Sequence, residues 1–172
     1  MDSMNLWIDI ARDALVEVIE AVNCVILNDA ELRQLTAKPN VLTAAREVIG
    51  WGPSVVVAKQ GGYGAALITV DDVFNIPAFP METVVDPTGA GDTFAGGFVG
   101  FVARHVDSGL TRDVLRNAMA YGTALASYNV EEFGTERVER LQPGEIHARV
   151  ADLADMTRFD APALDLRTAQ PA

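Results

Sequence analysis

Residues 84–100 read VVDPTGAGDTFAGGFVG and set two carboxylates, Asp86 and Asp92, around a small glycine-rich turn. Gly89, Ala90 and Gly91 stand just before or at the start of a segment with helical spacing. Their small side chains would leave backbone amides bare, unpaired and at the positive end of a helix dipole. Such a cradle suits phosphoryl transfer, in which negative charge builds on the transferred oxygens. Purely structural roles are also open at this point. Asp92 could be an acid favoured at a helix start by the dipole, and Asp86 a turn residue before Pro87. A glycine-rich turn alone is a weak signal.

Two further segments could act with it. In NDAE, Asn28 precedes Glu31 by three residues, the spacing of a capping box. An amide and a carboxylate also suit magnesium, which prefers oxygen ligands and keeps several waters. In KQGGYG, Lys59 could meet phosphate as a point charge, and Gly61 and Gly64 would let backbone approach closely. The same residues could form an ordinary tight turn with a solvated lysine. The segment is neither a phosphate loop with G-K-[ST] nor a dinucleotide fingerprint.

These segments need positioning elements, and the apolar pattern supplies them. Ile8, Ala11, Leu15, Val18 and Val22 fall on one helical face, predicting a helix over 5–22. Strands are predicted at 24–27, 54–59, 65–70, 73–76 and 82–85, the second β-branched and continuous as if buried on both faces. Helices are predicted at 28–36, 41–50, 90–106, 112–129 and 143–156, with Thr111 as an N-cap. Gly96, Gly97 and Gly100 are costly inside a helix unless that helix packs very close to a neighbour. Alternating strands and helices imply an α/β layered sheet. Ligands in such sheets sit at the carboxyl ends of the strands, where Asn28, Lys59 to Gly64 and Asp86 to Asp92 would all fall. His105 and His147 carry no ligand pattern and read as surface residues, Trp7, Trp51 and the phenylalanine face read as core, and Glu131–Glu132 reads as a solvated turn.

The unbroken string DPTGAGDTF, Asp86 to Phe94, resembles the C-terminal signature D-[TP]-x-G-A-G-D-[ST]-F of the ribokinase-like, PfkB-type carbohydrate kinases. The resemblance implies a three-layer α/β/α sandwich and ATP-dependent phosphorylation of an alcohol group on a sugar or nucleoside. It implies that Asp92 is the catalytic base, taking a proton from the acceptor hydroxyl as that oxygen attacks the γ-phosphate of ATP. Gly89, Ala90 and Gly91 would form the anion hole, and Asp86 would lie near a monovalent-cation site, potassium in many members. Asn28 and Glu31 resemble the family's N-x-x-E motif, which organises Mg2+ and phosphate through water. Lys59, Gly61 and Gly64 resemble its nucleotide-binding turn.

The resemblance spans about residues 2 to 150, the C-terminal half of the family pattern. The N-terminal strands, the lid and most sugar contacts are therefore expected to be missing. The expected organisation is one kinase-domain part over 1–157 with a loose tail over 158–172. Weak or no turnover from this chain alone is expected, and a homodimer or a partner chain could supply the missing half. A non-catalytic nucleotide-binding or assembly fragment is the alternative reading. The bulk composition agrees with an enzyme of the reducing cytoplasm. The 172 residues carry 13 Lys and Arg against 24 Asp and Glu, a net charge of −11, which argues against nucleic acid as a partner. One cysteine, Cys24, cannot form an internal disulfide. No apolar run nears the ~18 residues of a membrane span, and the acidic start is unlike a secretory signal.

Overall fold

A computed structural model describes residues 1–161. Four strands form its sheet: β1 (Cys24–Asn28), β2 (Val55–Lys59), β3 (Ala65–Ile68) and β4 (Val73–Ile76), lying side by side in that order. β1 and β2 run parallel, while β3 and β4 follow as antiparallel neighbours. The parallel register sets Asn28 beside Lys59, so both candidate segments leave the sheet at one end. Beyond β1, Asp2 makes a parallel bridge to Ile26, whose amide donates to Met1 O at 2.8 Å.

Helices cover both faces. On one, α1 (Asn5–Ile10), α2 (Arg12–Glu20), α3 (Asp29–Thr36) and α4 (Val41–Trp51) bury Ile8, Leu15, Ile19, Leu32, Leu35 and Val48 against Val25, Leu27 and Val56. On the other, α5 (Ala90–Arg104), α6 (Arg112–Asn129) and α8 (Pro143–Thr157) bury Phe94, Phe98, Met119 and Leu153 against Ile26, Val57 and Leu67. The short α7 (Glu136–Glu139) joins α6 to α8. The expected three layers are therefore present, and β2 is buried on both faces as its β-branched run predicts. Among the described residues no helix is long and apolar enough to cross a membrane.

Caps explain several helix starts. Asn40 opens α4 by accepting from the amides of Leu42 and Thr43 at 2.9 and 3.1 Å. Thr111 caps α6 through the Val114 amide, as expected. The predicted helix over 5–22 is instead two helices. Ala11 leaves helical geometry at φ −148°, and Arg12 reaches across to the carbonyl of Leu35 at 2.9 Å. The predicted strand at 82–85 does not form. Val84 and Val85 are exposed, and the Val85 amide donates to Val130 O, just past α6, rather than to a neighbouring strand. The strand expected at 65–70 stops at Ile68 because Thr69 and Asp72 close a turn, with Thr69 N to Asp72 O at 2.9 Å. Of the tail expected to be loose, 158–161 is exposed and without regular structure, and 162–172 lies outside the described residues.

The helical glycines divide by role. Gly96 and Gly100 have open space where a Cβ would stand. Gly97 faces α6 at a distance that permits no side chain: a Cβ there would lie 3.0 Å from the Cα of Gly122 and 3.1 Å from Tyr121 O. A Cβ on Gly122 would lie 2.8 Å from Phe94 O. Gly122→Ala should thus force the two helices apart and lower stability by about 1–3 kcal/mol, read as a reduced urea midpoint with unchanged slope.

Cys24 is the one free thiol, and burial pushes it from 9.0 up to about 11. Its neutral form is the reactive partner of nothing at pH 8, because the thiolate is the nucleophile. Alkylation by iodoacetamide at pH 8 should be slow in the folded protein and fast in urea. A thiol whose folded pKa is raised favours the fold fully below the unfolded value. That contribution should fade as pH rises from 9 to about 11.

Candidate active site

The site is assembled at the carboxyl ends of β1 and β2. Asn28 ends β1 and caps α3: its Oδ1 accepts from the Glu31 amide and its own amide donates to Glu31 Oε2, both at 2.8 Å. The capping box read from the sequence is therefore present. It engages one carboxylate oxygen of the buried Glu31 and leaves Oε1 without a hydrogen bond among the described residues. β2 ends at Lys59, and the chain turns through a short 3-10 segment, Gly61–Tyr63, into β3. Gly64 sits at φ +104°, and a Cβ there would stand 2.0 Å from Ile76 O, so this turn requires glycine.

The third component is the start of α5. Asp86 accepts from the Thr88 amide at 2.9 Å. That amide, with help from the Thr88 hydroxyl and the Gly134 amide, holds the Asp86 carboxyl below the usual carboxylate range. Gly89 then adopts the left-handed conformation at φ +80°, and Ala90 begins the helix. Ala90 N reaches only Pro87 O at 3.3 Å, and the amides of Gly91 and Asp92 have no backbone acceptor among the described residues. Asp92 is exposed on this first turn. The Lys59 ammonium closes over it: Nζ lies 3.0 Å from where a Cβ on Gly91 would stand.

Between these parts lies a cavity of about 410 Å³. Asn28, Lys59, Gly61, Gly64, Ala90 and Gly91 line it at one end. Apolar groups, including Phe79, Met81, Val84, Ala126 and Val130, line the rest. Lys59 is its single charged lining residue among the described residues. Glu31, Gly89, Asp86 and Asp92 stand beside it rather than in its wall. An apolar slot leading to bare amides and one ammonium can take a flat heterocycle at one end and an anion at the other. Among the described residues no group of three or more His, Cys, Asp or Glu could hold a metal. A magnesium ion held mainly by water needs fewer protein ligands, and Asn28 with the spare oxygen of Glu31 fits that demand.

Sequence reasoning missed residues that hold this arrangement. Asn129, the last residue of α6, is buried; its Nδ2 donates to Thr88 O at 2.8 Å and its Oδ1 accepts from Thr93 Oγ1 at 2.7 Å. One amide thus grips both sides of the Gly89–Asp92 turn, and no local pattern marks it. Arg149 of α8 lies over the rings of Tyr128 and Phe79, 3.5 and 4.8 Å from their centroids. It also donates to Glu131 Oε1 at 2.7 Å and Ser127 Oγ at 3.1 Å. Glu131, read from the sequence as solvated, is instead paired with both Arg137 and Arg149, because α7 and α8 fold back over it. His105, half-buried, stacks on Phe101, while His147 stays exposed with Tyr121 edge-on to it; Trp7, expected in the core, is instead 48% exposed because α1 buries Ile8 rather than its neighbour.

The pfkB family carbohydrate kinase model matches residues 3–140, and the chain belongs to that family. A cytidine kinase of Thermococcus kodakarensis is 41% identical over 96 residues, covering 54% of this chain and 34% of the relative. A nucleoside kinase of Methanothermobacter thermautotrophicus is 34% identical over 127 residues, covering 73% of this chain and 37% of the relative. A putative ribokinase II from E. coli, solved in complex with ATP and Mg2+, superposes with a TM-score of 0.72 at 26% identity, over 88% of this chain and 47% of that one. Aminoimidazole riboside kinase from Salmonella enterica shares the fold with a TM-score of 0.72 at 23% identity, over 86% and 48%. The chain spans about a third to a half of these relatives' lengths.

The Asn129 clasp has a measurable stake. Asn129→Ala leaves the Thr93 hydroxyl and the Thr88 carbonyl without partners, and should cost about 1–3 kcal/mol in urea unfolding. Amide exchange at Thr93, whose N–H donates to Gly89 O at 2.8 Å across the turn, should accelerate more than exchange at mid-α5, since the turn loses its grip before the helix does.

Proposed function

We propose that this chain carries the nucleotide and phosphoryl-transfer portion of an ATP-dependent kinase whose acceptor is an alcohol group on a nucleoside or sugar. The single observation that carries the reading is the start of α5. There the left-handed Gly89 and the small Ala90 and Gly91 leave the Gly91 and Asp92 amides free at a helix N-terminus, beside the Lys59 ammonium and the exposed Asp92 carboxylate. In this reading the apolar part of the cavity takes the nucleotide base, with Gly61 and Gly64 giving the backbone room to approach. Lys59 and the amides face the phosphates. Asp92 takes the proton from the acceptor hydroxyl as that oxygen attacks the γ-phosphorus and ADP leaves. Magnesium, when bound, offsets phosphate charge, and Asn28 and Glu31 would hold it through water. Asp86, kept ionised by Thr88, would favour a monovalent cation such as potassium near the turn. The relatives named cytidine kinase and nucleoside kinase make nucleosides the first acceptors to test. The reading places the protein in the cytoplasm.

A second reading is favoured by one observation, the coverage of only 34–48% of the relatives' lengths. The chain would then bind nucleotide without turnover, and the acceptor pocket would be completed by further polypeptide, a second copy or a partner chain. Coupled ADP-release assays with ATP, magnesium and a panel of nucleosides and sugars, run beside thermal-shift measurements, separate the two. The kinase reading expects turnover that Asp92→Asn lowers by about 10²–10⁴-fold while the ADP-induced thermal shift persists. Thermal stabilisation by nucleotide with no turnover on any acceptor supports the second reading. Absence of both effects overturns each.

A further inference from the structure

Lys59, the cavity's only charged lining residue among the described residues, is not free. Its ammonium donates to Asp2 Oδ2 at 2.7 Å, and both side chains are largely shielded, at 16% and 23% exposure. Asp2 is held firmly for this contact. Its backbone is tied to β1 by the bridge to Ile26, and its other oxygen, Oδ1, accepts from the Ser3 amide at 2.8 Å. The same ammonium overhangs Gly91 at the start of α5. A phosphoryl group settling on the free amides of Gly91 and Asp92 would therefore meet an ammonium already neutralised by a neighbouring carboxylate. Two anions sharing one partly buried cation repel with incomplete screening by water.

We propose that Asp2 is the resident counterion of the anion site: its carboxylate occupies Lys59 while the cavity is empty and competes with phosphoryl groups for that ammonium. Asp2 thereby sets the affinity of the site for phosphate-bearing ligands and assists their release. The inference rests on the reading of Lys59 as a phosphate-facing group. It gives a function to an N-terminal aspartate that no motif marks. It also assigns Asp2 a direction of effect opposite to that of a simple structural partner, whose loss would slacken Lys59 and weaken binding.

Asp2→Asn keeps the shape and the Oδ1 acceptor for Ser3 while removing the charge, so the fold should be retained. Wild type, Asp2→Asn and the double variant Asp2→Asn/Lys59→Met are compared by calorimetric titration with ADP and with adenosine. Acetic anhydride labelling of Lys59, read by peptide mass, is run on the first two. Asp2→Asn should bind ADP about tenfold tighter, about 1.4 kcal/mol, with adenosine affinity unchanged. Lys59 should label several-fold faster in Asp2→Asn, and the gain in ADP affinity should vanish in the double variant. Unchanged or weaker ADP binding by Asp2→Asn, or a gain that survives Lys59→Met, overturns the proposal. If ADP binds neither the wild type nor Asp2→Asn, the kinase reading falls separately. The counterion role is then decided by inorganic pyrophosphate, which must protect Lys59 from labelling at a lower concentration in Asp2→Asn than in wild type; equal protection, or none, overturns it.

Discussion

Helices α5 and α6 touch backbone to backbone at Gly97 and Gly122, and the glycine turn that opens α5 depends on that contact. Only two glycines allow the approach, since a Cβ on either would collide with the other helix. The approach carries the end of α6 up to the start of α5, where Asn129 can reach Thr88 and Thr93 together. A wider helix spacing would draw that single side chain away from both groups. The left-handed Gly89 and the unpaired amides beyond it would lose their support. A packing constraint deep in the helix pair is in this way converted into the geometry of a surface turn.

Electrostatics then decide what the turn can hold. The chain is strongly acidic, with a net charge of −11, yet one lysine is the sole charged group lining the cavity among the described residues. Any attraction for an anion here would therefore come from backbone amides and one ammonium, not from a basic surface. The carboxylates nearby are each engaged in a particular way: Glu31 in its capping box, Asp86 with Thr88, Asp2 with Lys59. Asp92, at the start of α5, differs from these in standing exposed without such a partner. At the opposite wall, Arg149 spreads its guanidinium over Tyr128 and Phe79 while pairing with Glu131. This packs α8 behind the apolar end of the cavity and keeps that wall in place.

Much of this arrangement was legible from local pattern. The β-branched run of β2, the Asn28–Glu31 spacing and the Thr111 cap each reflect short-range physics, and each formed as expected. The string from Asp86 to Phe94 identified the family because a turn that bares amides at a helix start tolerates few residues. What failed was also physical. Residues 82–85 are apolar and β-branched like a strand, but an edge needs a partner, and Val85 found Val130 instead. Residues 5–22 carry one continuous apolar face, yet Ala11 breaks it where Arg12 turns to cap the carbonyl of Leu35, a residue remote in sequence. Glu131 looked solvated because its two arginines lie 6 and 18 residues further on.

By itself, then, the sequence determined most element types, the capping box at Asn28 and the glycine turn that opens α5. Those features arise from interactions between residues a few positions apart, whose spacing is written directly in the chain. Tertiary structure decided which distant groups meet. The pairing of Lys59 with Asp2 across 57 residues and the grip of Asn129 on Thr88 and Thr93 across 41 and 36 follow from sheet register and helix approach. Such contacts depend on how whole elements pack, and no local periodicity encodes them.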